Sequence, residues 1–358
     1  MDRRLQKAVV EWPSMKIAYW ATCSLEPEIE AVSKEVATLA EHFRPSFVFS
    51  VNSRLTFRLS LRYRSIGFRG NFDPWIRPII RALEAYVDIS HVYGDVTPWV
   101  YRKSLGKKPI IHTIASEKGT PDADFLDRCS AVIVQTEGMH RRLLELGCST
   151  KKVHLLYPGV DVATFKPAIE IPPLSRPRVL FATAPRSKEE LEPRGVFLLI
   201  EAARLNPAIQ FHLLFRPWSG GYTSLAAVQQ RLGSEELTNV SIQNVAARNM
   251  ADIYRAHHFT SIPYTRRDGG KECPNSLVES LACGVPVLVT EVSPMAEFVA
   301  RNECGIVHPP TPEGLSKAVE LGLQDYQILS RHARSLAERS FDVHLQLRDL
   351  HGLYSGLI

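Results

Sequence analysis

Along most of the chain, short apolar runs alternate with longer segments in which apolar residues recur every three or four positions. The short runs fit buried parallel strands, and the longer segments fit amphipathic helices laid over them. In the first half, strands are expected at Lys16 to Trp20, Ser46 to Phe49, Ile89 to Tyr93, Pro109 to Thr113, Ala131 to Gln135 and Val153 to Tyr157. Between the first two, Pro27 to Phe43 reads as a helix with Ile29, Val32, Val36, Leu39 and Phe43 on one face. Pro27 would stand in its first turn, where a missing N–H costs nothing. Another helix is expected from Thr136 as cap to Gly147 as stop, with Met139, Leu143 and Leu146 turned inward. From Lys166 to Pro177 there are four prolines in twelve residues and no periodicity, which reads as a linker. Strands near Val179 to Ala182, Gln210 to Phe215, Phe259 to Ile262 and Val285 to Val289 then resume the alternation. At the end, Val343, Leu347, Leu350, Tyr354 and Leu357 form a helical face that needs a groove, and packing across domains would supply it.

The expected architecture is α/β, with doubly wound domains at residues 1–165 and 178–340 joined by a linker at 166–177. The helix at 341–358 is expected to pack back on the first domain. The 358 residues allow two such units at about 150 residues each. With 45% hydrophobic and 23% charged residues, the composition is that of a soluble globular protein. No run approaches the roughly 18 apolar residues of a membrane span, and Met1-Asp2-Arg3-Arg4 does not lead into a signal-peptide core. A cytoplasmic location is expected. The six cysteines are spread singly, without zinc or redox spacing, and the histidines show no metalloprotease pattern. The first glycine is Gly67, so neither a dinucleotide fingerprint nor a P-loop follows the first strand. Two open sheets facing each other place the ligand cleft at their carboxyl ends.

Charge changes the picture locally. The balance of 43 basic and 38 acidic residues is a mild +5, yet Arg54, Arg58, Arg62, Arg64, Arg69, Arg77 and Arg81 crowd one stretch, with Asp73 as the single acid. From Arg54 to Arg64, arginines alternate with Leu55, Phe57, Leu59, Leu61 and Tyr63, a period of two that predicts one strand. Its basic side is either a solvated edge that discourages aggregation or a surface for anions such as lipid head groups or a phosphate-bearing acceptor. No RNP-like motif, zinc finger or repeat supports nucleic acid as a partner.

The densest chemistry lies between Asp268 and Thr290, which reads as loop, short helix and strand. Gly269 and Gly270 let the backbone approach a ligand, Asn275 or Ser276 would cap the helix, and Gly284 would stop it. The free N–H groups of that helix suit a phosphate. The same residues also form a capping box, Ser276-Leu-Val-Glu279, in which Glu279 does nothing more than reach back to the cap.

This stretch resembles the nucleotide-sugar motif of the family 4 retaining glycosyltransferases, which have the two-domain GT-B fold. Pro274-Asn275, Glu279, Ala282, Gly284, Pro286 and Val287 fall in register with its PN-x-x-x-E-A-x-A-x-G-x-P-V core. The segment Pro158-Gly159-Val160-Asp161 to Phe165 and Pro167 is similar to the family's interdomain motif, and Thr290 to Val299 to the strand and helix after the core. The resemblance implies that Glu279 holds the donor ribose. It implies that Arg186, Arg194 and Gly195, with Asn275 and Ser276, hold the donor diphosphate. The family's first carboxylate falls at Lys271, with Glu272 one position later, so both join Glu279 as catalytic candidates. The family's glycine turn after the first strand is replaced by the acidic Cys23 to Glu28, and its usual histidine falls at Ala115, leaving His112 as an acceptor-side candidate.

Asp122-Ala-Asp124 matches a short metal-binding pattern, but Thr120 to Asp124 reads more simply as an acidic helix start. The expectation is therefore a retaining, metal-independent glycosyltransferase with no cofactor. It would take a nucleotide-sugar such as a UDP- or GDP-sugar and a glycan, lipid-linked or other phosphate-bearing acceptor. It would work in the cytosol, with Arg54, Arg58, Arg62 and Arg64 facing the acceptor or an anionic membrane surface. A GT-B binding or scaffold protein that has lost turnover is the alternative.

Overall fold

The computed structural model describes residues 15–358 except 53–55, 60–62, 70–72, 117–118, 184, 218–221 and 236. In the first domain, β1 (Ile17–Ala21) lies near the middle of an eight-stranded sheet. The other strands are β2 (Ser46–Asn52), β3 (Thr56–Leu59), β4 (Arg64–Arg69), β5 (Ile89–Gly94), β6 (Ile110–Ile114), β7 (Ala131–Val134) and β8 (Val153–Leu155), in the order β3-β4-β2-β1-β5-β6-β7-β8. All neighbours are parallel except β3 and β4. Because strand side chains alternate, Ala18 and Trp20 enter one core while Ile17, Tyr19 and Ala21 enter the other. Helices α2 (Asp73–Tyr86), α3 (Ala123–Arg128) and α4 (Glu137–Glu145) close the first core with Ile76 and Ile80, Phe125 and Leu126, and Met139 and Leu143. The second core is closed by α1 (Ala31–His42).

The second domain repeats the plan with six parallel strands: β9 (Arg178–Phe181), β10 (Gln210–Phe215), β11 (Val240–Asn244), β12 (Phe259–Ile262), β13 (Val287–Thr290) and β14 (Gly305–His308), ordered β11-β10-β9-β12-β13-β14. Helices α5 (Val196–Leu205), α6 (Tyr222–Glu235) and α10 (Pro312–Gln324) pack on one side of it. On the other lie α7 (Met250–Arg255), α8 (Asn275–Ala282), α9 (Ala296–Arg301) and α11 (Tyr326–Ser340). No described helix is long and apolar enough to cross a membrane.

After α11, the chain crosses back. Phe341 and Val343 exchange backbone hydrogen bonds with Val160, and α12 (Val343–Ser355) lays Leu347, Leu350 and Tyr354 on the first domain beside α1. Tyr354 is fully buried there, its hydroxyl 2.7 Å from His91 Nδ1 and 3.4 Å from the Tyr19 hydroxyl, while His91 Nε2 lies 2.7 Å from Thr113 Oγ1.

The structure corrects several expectations. Helix α1 begins four residues after Pro27, because Glu30 is its cap and accepts from Ser33 N at 2.5 Å. Pro27 lies in the preceding turn. Leu146, expected inward, is 56% exposed at the end of α4, where the chain leaves the helix toward the left-handed Gly147. The arginine row is not one strand: it falls into β3 and β4, which pair antiparallel with Leu59 opposite Arg64 at the sheet edge. Arg54 and Arg62 lie outside the described residues, as does the side chain of Arg58. Arg64 is exposed, with its guanidinium over the Phe47 ring at 5.6 Å. His112 is buried beneath the sheet, edge-on to Phe125 and bonded through Nε2 to Asp95 O at 2.9 Å, which removes it from the acceptor side. Asp122 caps α3 by accepting from Phe125 N and is paired with Arg102, so it acts as the helix start.

Burial pushes His91 down to about 3, and His112 and His257 to about 4. Their folded pKa values lie below the usual 6.5, so unfolding takes up protons in acid. Stability is expected to hold above pH 6.5 and to fall as pH drops toward 4, as read by denaturant midpoints at fixed ionic strength. Tyr354→Phe removes the hydroxyl facing His91 Nδ1 and should cost about 1–3 kcal/mol in urea unfolding. An unchanged midpoint would mean that this contact does not fasten α12.

Candidate active site

The carboxyl ends of the two sheets face one another across a cleft. Its inner part is a cavity of 240 Å³ bounded by Thr22, Cys23 and Glu30 after β1, Ala115 and Ser116 after β6, Thr183 and Arg186 after β9, and Lys271 before α8. An adjoining cavity of 650 Å³ shares Glu30, Ala31, Arg216 and Asn275 with it and extends past Lys34 and Glu279 to Val245–Asn249.

Helix α8 aims its N-terminus at the inner cavity. Pro274, with φ −65°, is its cap residue, one position earlier than expected, so Asn275 and Ser276 occupy the first turn. Ladder bonds to Pro274 O come from Leu277 and Val278, which leaves the Asn275 and Ser276 N–H groups outside the helix's own pattern. Among the described residues, Ser276 Oγ is buried without a hydrogen-bond partner, as is Thr183 Oγ1 across the cavity. Two unpaired hydroxyls beside a helix N-terminus form a place where an anion would regain what burial removed.

Arg186 and Arg194 line this cavity. Arg194 is held by Glu190 at 3.0 Å and by Thr183 O at 3.3 Å. Gly195 does not line it: in the left-handed region at φ +74°, it lets the start of α5 meet Pro263, whose carbonyl would lie 1.7 Å from an added Cβ. Lys271 points into the cavity and uses all three ammonium hydrogens, on Glu35 Oε1 at 2.7 Å, Cys273 O at 2.9 Å and Asn275 Oδ1 at 3.0 Å. Glu272 turns the other way. It is fully buried between the domains and accepts from Thr136 Oγ1, the cap of α4, at 2.5 Å, so it does not reach the cavity as a catalytic carboxylate. The bridge between Lys271 and Ser116 fixes this parity of the loop.

The capping-box reading of Glu279 fails, because both of its oxygens look elsewhere. Lys34 donates to Oε1 and the buried Tyr254 hydroxyl donates to Oε2 at 3.0 Å. The pattern along the chain gave no sign of Arg216, which donates to Ile29 O at 2.7 Å and borders both cavities. Nor did it mark Glu30, Lys34 and Glu35. Their signal was a charged cluster at a helix start, but their partners are remote: Arg186 on Glu30 at 2.9 Å, Glu279 on Lys34, and Lys271 on Glu35. Burial, reinforced by the Glu30 carboxylate, pushes the Cys23 thiol up, and Cys23 remains a thiol donating to Glu30.

Comparison with known proteins bears out the family resemblance. The model described as Glycosyl transferases group 1 matches residues 181–325. The D-inositol 3-phosphate glycosyltransferase of Jonesia denitrificans is 24% identical over 224 residues, 58% of this chain and 52% of that protein. The putative colanic acid biosynthesis glycosyltransferase WcaL of Escherichia coli is 25% identical over 227 residues, 60% of this chain and 54% of that one. The chain spans about half the length of the curated relatives it matches. Among solved structures, sucrose-phosphate synthase from Thermosynechococcus elongatus superimposes with a TM-score of 0.76 at 18% identity, covering 96% of this chain and 99% of that one. Anabaena HepE in complex with UDP-glucose also gives 0.76, at 14% identity and 96% and 100% coverage. The fold is GT-B.

Both members of the Lys271–Glu35 pair are buried, with side chains 11% and 4% exposed. Lys271→Met should therefore destabilise by about 3–5 kcal/mol by stranding the Glu35 charge, and Glu35→Leu added to it should recover much of the loss. Additive losses in a double-mutant cycle would dissolve the pair as an energetic unit.

Proposed function

We propose that this chain, whose second domain carries the group 1 glycosyltransferase match, transfers a sugar from a nucleoside-diphosphate donor to a phosphate-bearing, glycan or lipid-linked acceptor. The observation that carries this reading is the inner cavity, where Ser276 Oγ and Thr183 Oγ1, without partners among the described residues, stand with the α8 N-terminus beside Arg186 and Arg194. A diphosphate there would accept from all of them. The adjoining cavity, with Glu279 at its edge and residues 245–249 along it, suits a nucleoside whose ribose hydroxyls donate to that carboxylate. UDP-bound HepE supports a uridine donor, and a GDP-sugar fits the same reading.

The chemistry follows from charge. As the glycosidic bond to the donor phosphate breaks, negative charge grows on the leaving diphosphate and the sugar becomes oxocarbenium-like. Fixed guanidinium groups and helix N–H donors stabilise that state more than the ground state, so this reading needs neither metal nor cofactor. Lys271 adds a cation near the transferred sugar where the resembled family has a carboxylate. Domain closure excludes water that would otherwise hydrolyse the donor. Retention of configuration is proposed from the family resemblance. The names of the D-inositol 3-phosphate relatives favour a phosphate-bearing acceptor, and the exposed Arg64 at the sheet edge supports an acceptor or anionic cytosolic membrane surface on that side. The buried turn of Glu272 favours a second reading, a binding protein without turnover.

Thermal unfolding against UDP, GDP, ADP and their sugars, each with EDTA, tests this. A donor at about 100 times its dissociation constant should add about 2.7 kcal/mol, and Glu279→Ala and Arg186→Ala should abolish the gain. Release of free sugar or glycosylated product from the same mixtures marks a transferase. Binding without product on any acceptor marks the second reading, and no shift with any nucleotide rejects both. Replacing Arg54, Arg58 and Arg62 by Ala should weaken sedimentation with anionic liposomes. Unchanged sedimentation removes the membrane surface.

A further inference from the structure

The inner cavity, at 240 Å³, and the adjoining one, at 650 Å³, are each bordered by the protein's own ion pairs. Three residues at the start of α1 reach across the cleft. Glu30 places Oε1 at 2.9 Å from Arg186, Lys34 sits on Glu279, and Glu35 holds Lys271. The signs match those of a donor. A carboxylate stands on the guanidinium offered to a diphosphate, and an ammonium donor stands on the carboxylate offered to ribose hydroxyls.

The three pairs are unequal. Lys271 and Glu35 are both buried, so separating them strands a charge at large cost. Lys34 is 46% exposed and can swing into water when Glu279 is taken, whereas Glu30 is 7% exposed and stays where it is, its other oxygen still accepting from Ser33 N and the Cys23 thiol, while Arg186, 48% exposed, turns to the diphosphate. The first pair is therefore a fixed tie between the domains, and the other two are exchangeable.

Resting on the donor reading above, we propose that Glu30 and Lys34 are an intramolecular stand-in for the donor. A nucleoside diphosphate enters by exchange, the diphosphate displacing Glu30 from Arg186 and the ribose displacing Lys34 from Glu279. The empty cleft is bridged by its own helix, and the donor's affinity is set by what it must displace. Glu30 keeps its place, since Ser33 N already donates to it at 2.5 Å as the cap of α1.

Titration calorimetry on the full chain tests this with UDP, GDP, ADP and inorganic pyrophosphate, comparing the unaltered protein with Glu30→Gln and Lys34→Met. Glu30→Gln should bind both nucleotide and pyrophosphate about fivefold more tightly, the gain from removing one half-exposed competing pair. Lys34→Met should tighten the nucleotide by a similar factor and leave pyrophosphate unchanged, because pyrophosphate has no ribose. If the unaltered protein binds a nucleotide and neither substitution tightens it, the stand-in is overturned while the donor reading remains. If Lys34→Met tightens pyrophosphate as much as nucleotide, Lys34 is not a ribose substitute and that half is overturned. If no variant binds any nucleotide, the donor reading fails and takes the stand-in with it.

Discussion

A carboxylate removed from water must be answered by partners that are removed with it, and Glu35 imposes that constraint on the whole cleft. Its oxygens accept from Lys271 Nζ at 2.7 Å, from the Tyr93 hydroxyl at 2.6 Å and from Gln135 at 2.8 Å. These groups come from the end of β5, the turn after β7 and the loop before α8. One side chain on α1 thereby sets the height of two strand ends and fixes the loop that presents the α8 N-terminus. The two domains meet where they do because the alternative is an unpaired buried charge on each side.

That tie also decides which face of the loop does chemistry. With Lys271 drawn to Glu35, the next residue must point the opposite way, and Glu272 is buried against Thr136. A position that the resembled family fills with a carboxylate beside the sugar is here a cation with its hydrogens already spent. The inner cavity is thus lined by Arg186, Arg194, Arg216 and Lys271 against Glu30, Asp95 and Glu190, and of these acids Glu30 and Glu190 are occupied on arginines.

What could be read along the chain depended on the range of the interaction. Ile17–Ala21 is apolar at every position and could hardly be anything but a buried central strand, and Gly284 marks a turn that its positive φ requires, whereas Gly195, read as a diphosphate residue, is left-handed to let α5 meet Pro263. The β11 and β14 strands were not foreseen; β11 is half exposed at the sheet edge and lacks a continuous apolar run. Pro27 misled because the carboxylate of Glu30, a less usual cap, starts α1 in its place. Around the site, Arg186, Arg194, Lys271 and Glu279 stood out, but Arg216 and Lys34 did not, nor did any of their roles in the empty cleft. Glu30 and Arg186 are 156 residues apart, and Lys34 and Glu279 are 245 apart, so no local period could join them. His112 was decidable by parity: it shares its strand face with Ile110 and Ile114, which lie in the core beneath the sheet.

The return of α12 to the first domain bears on how the molecule is made. Its Leu347, Leu350 and Tyr354 complete the core around Ile17 and Tyr19 of β1 and Ile89 of β5. During synthesis α1 can cover part of that sheet face at once, but the strip taken by α12 stays open while the second domain is translated, a delay on the order of ten seconds or more at ribosomal rates. Until α12 emerges, that apolar strip of the first domain is left open to other chains. The first domain therefore completes its core only with a helix that lies beyond the second domain in the sequence.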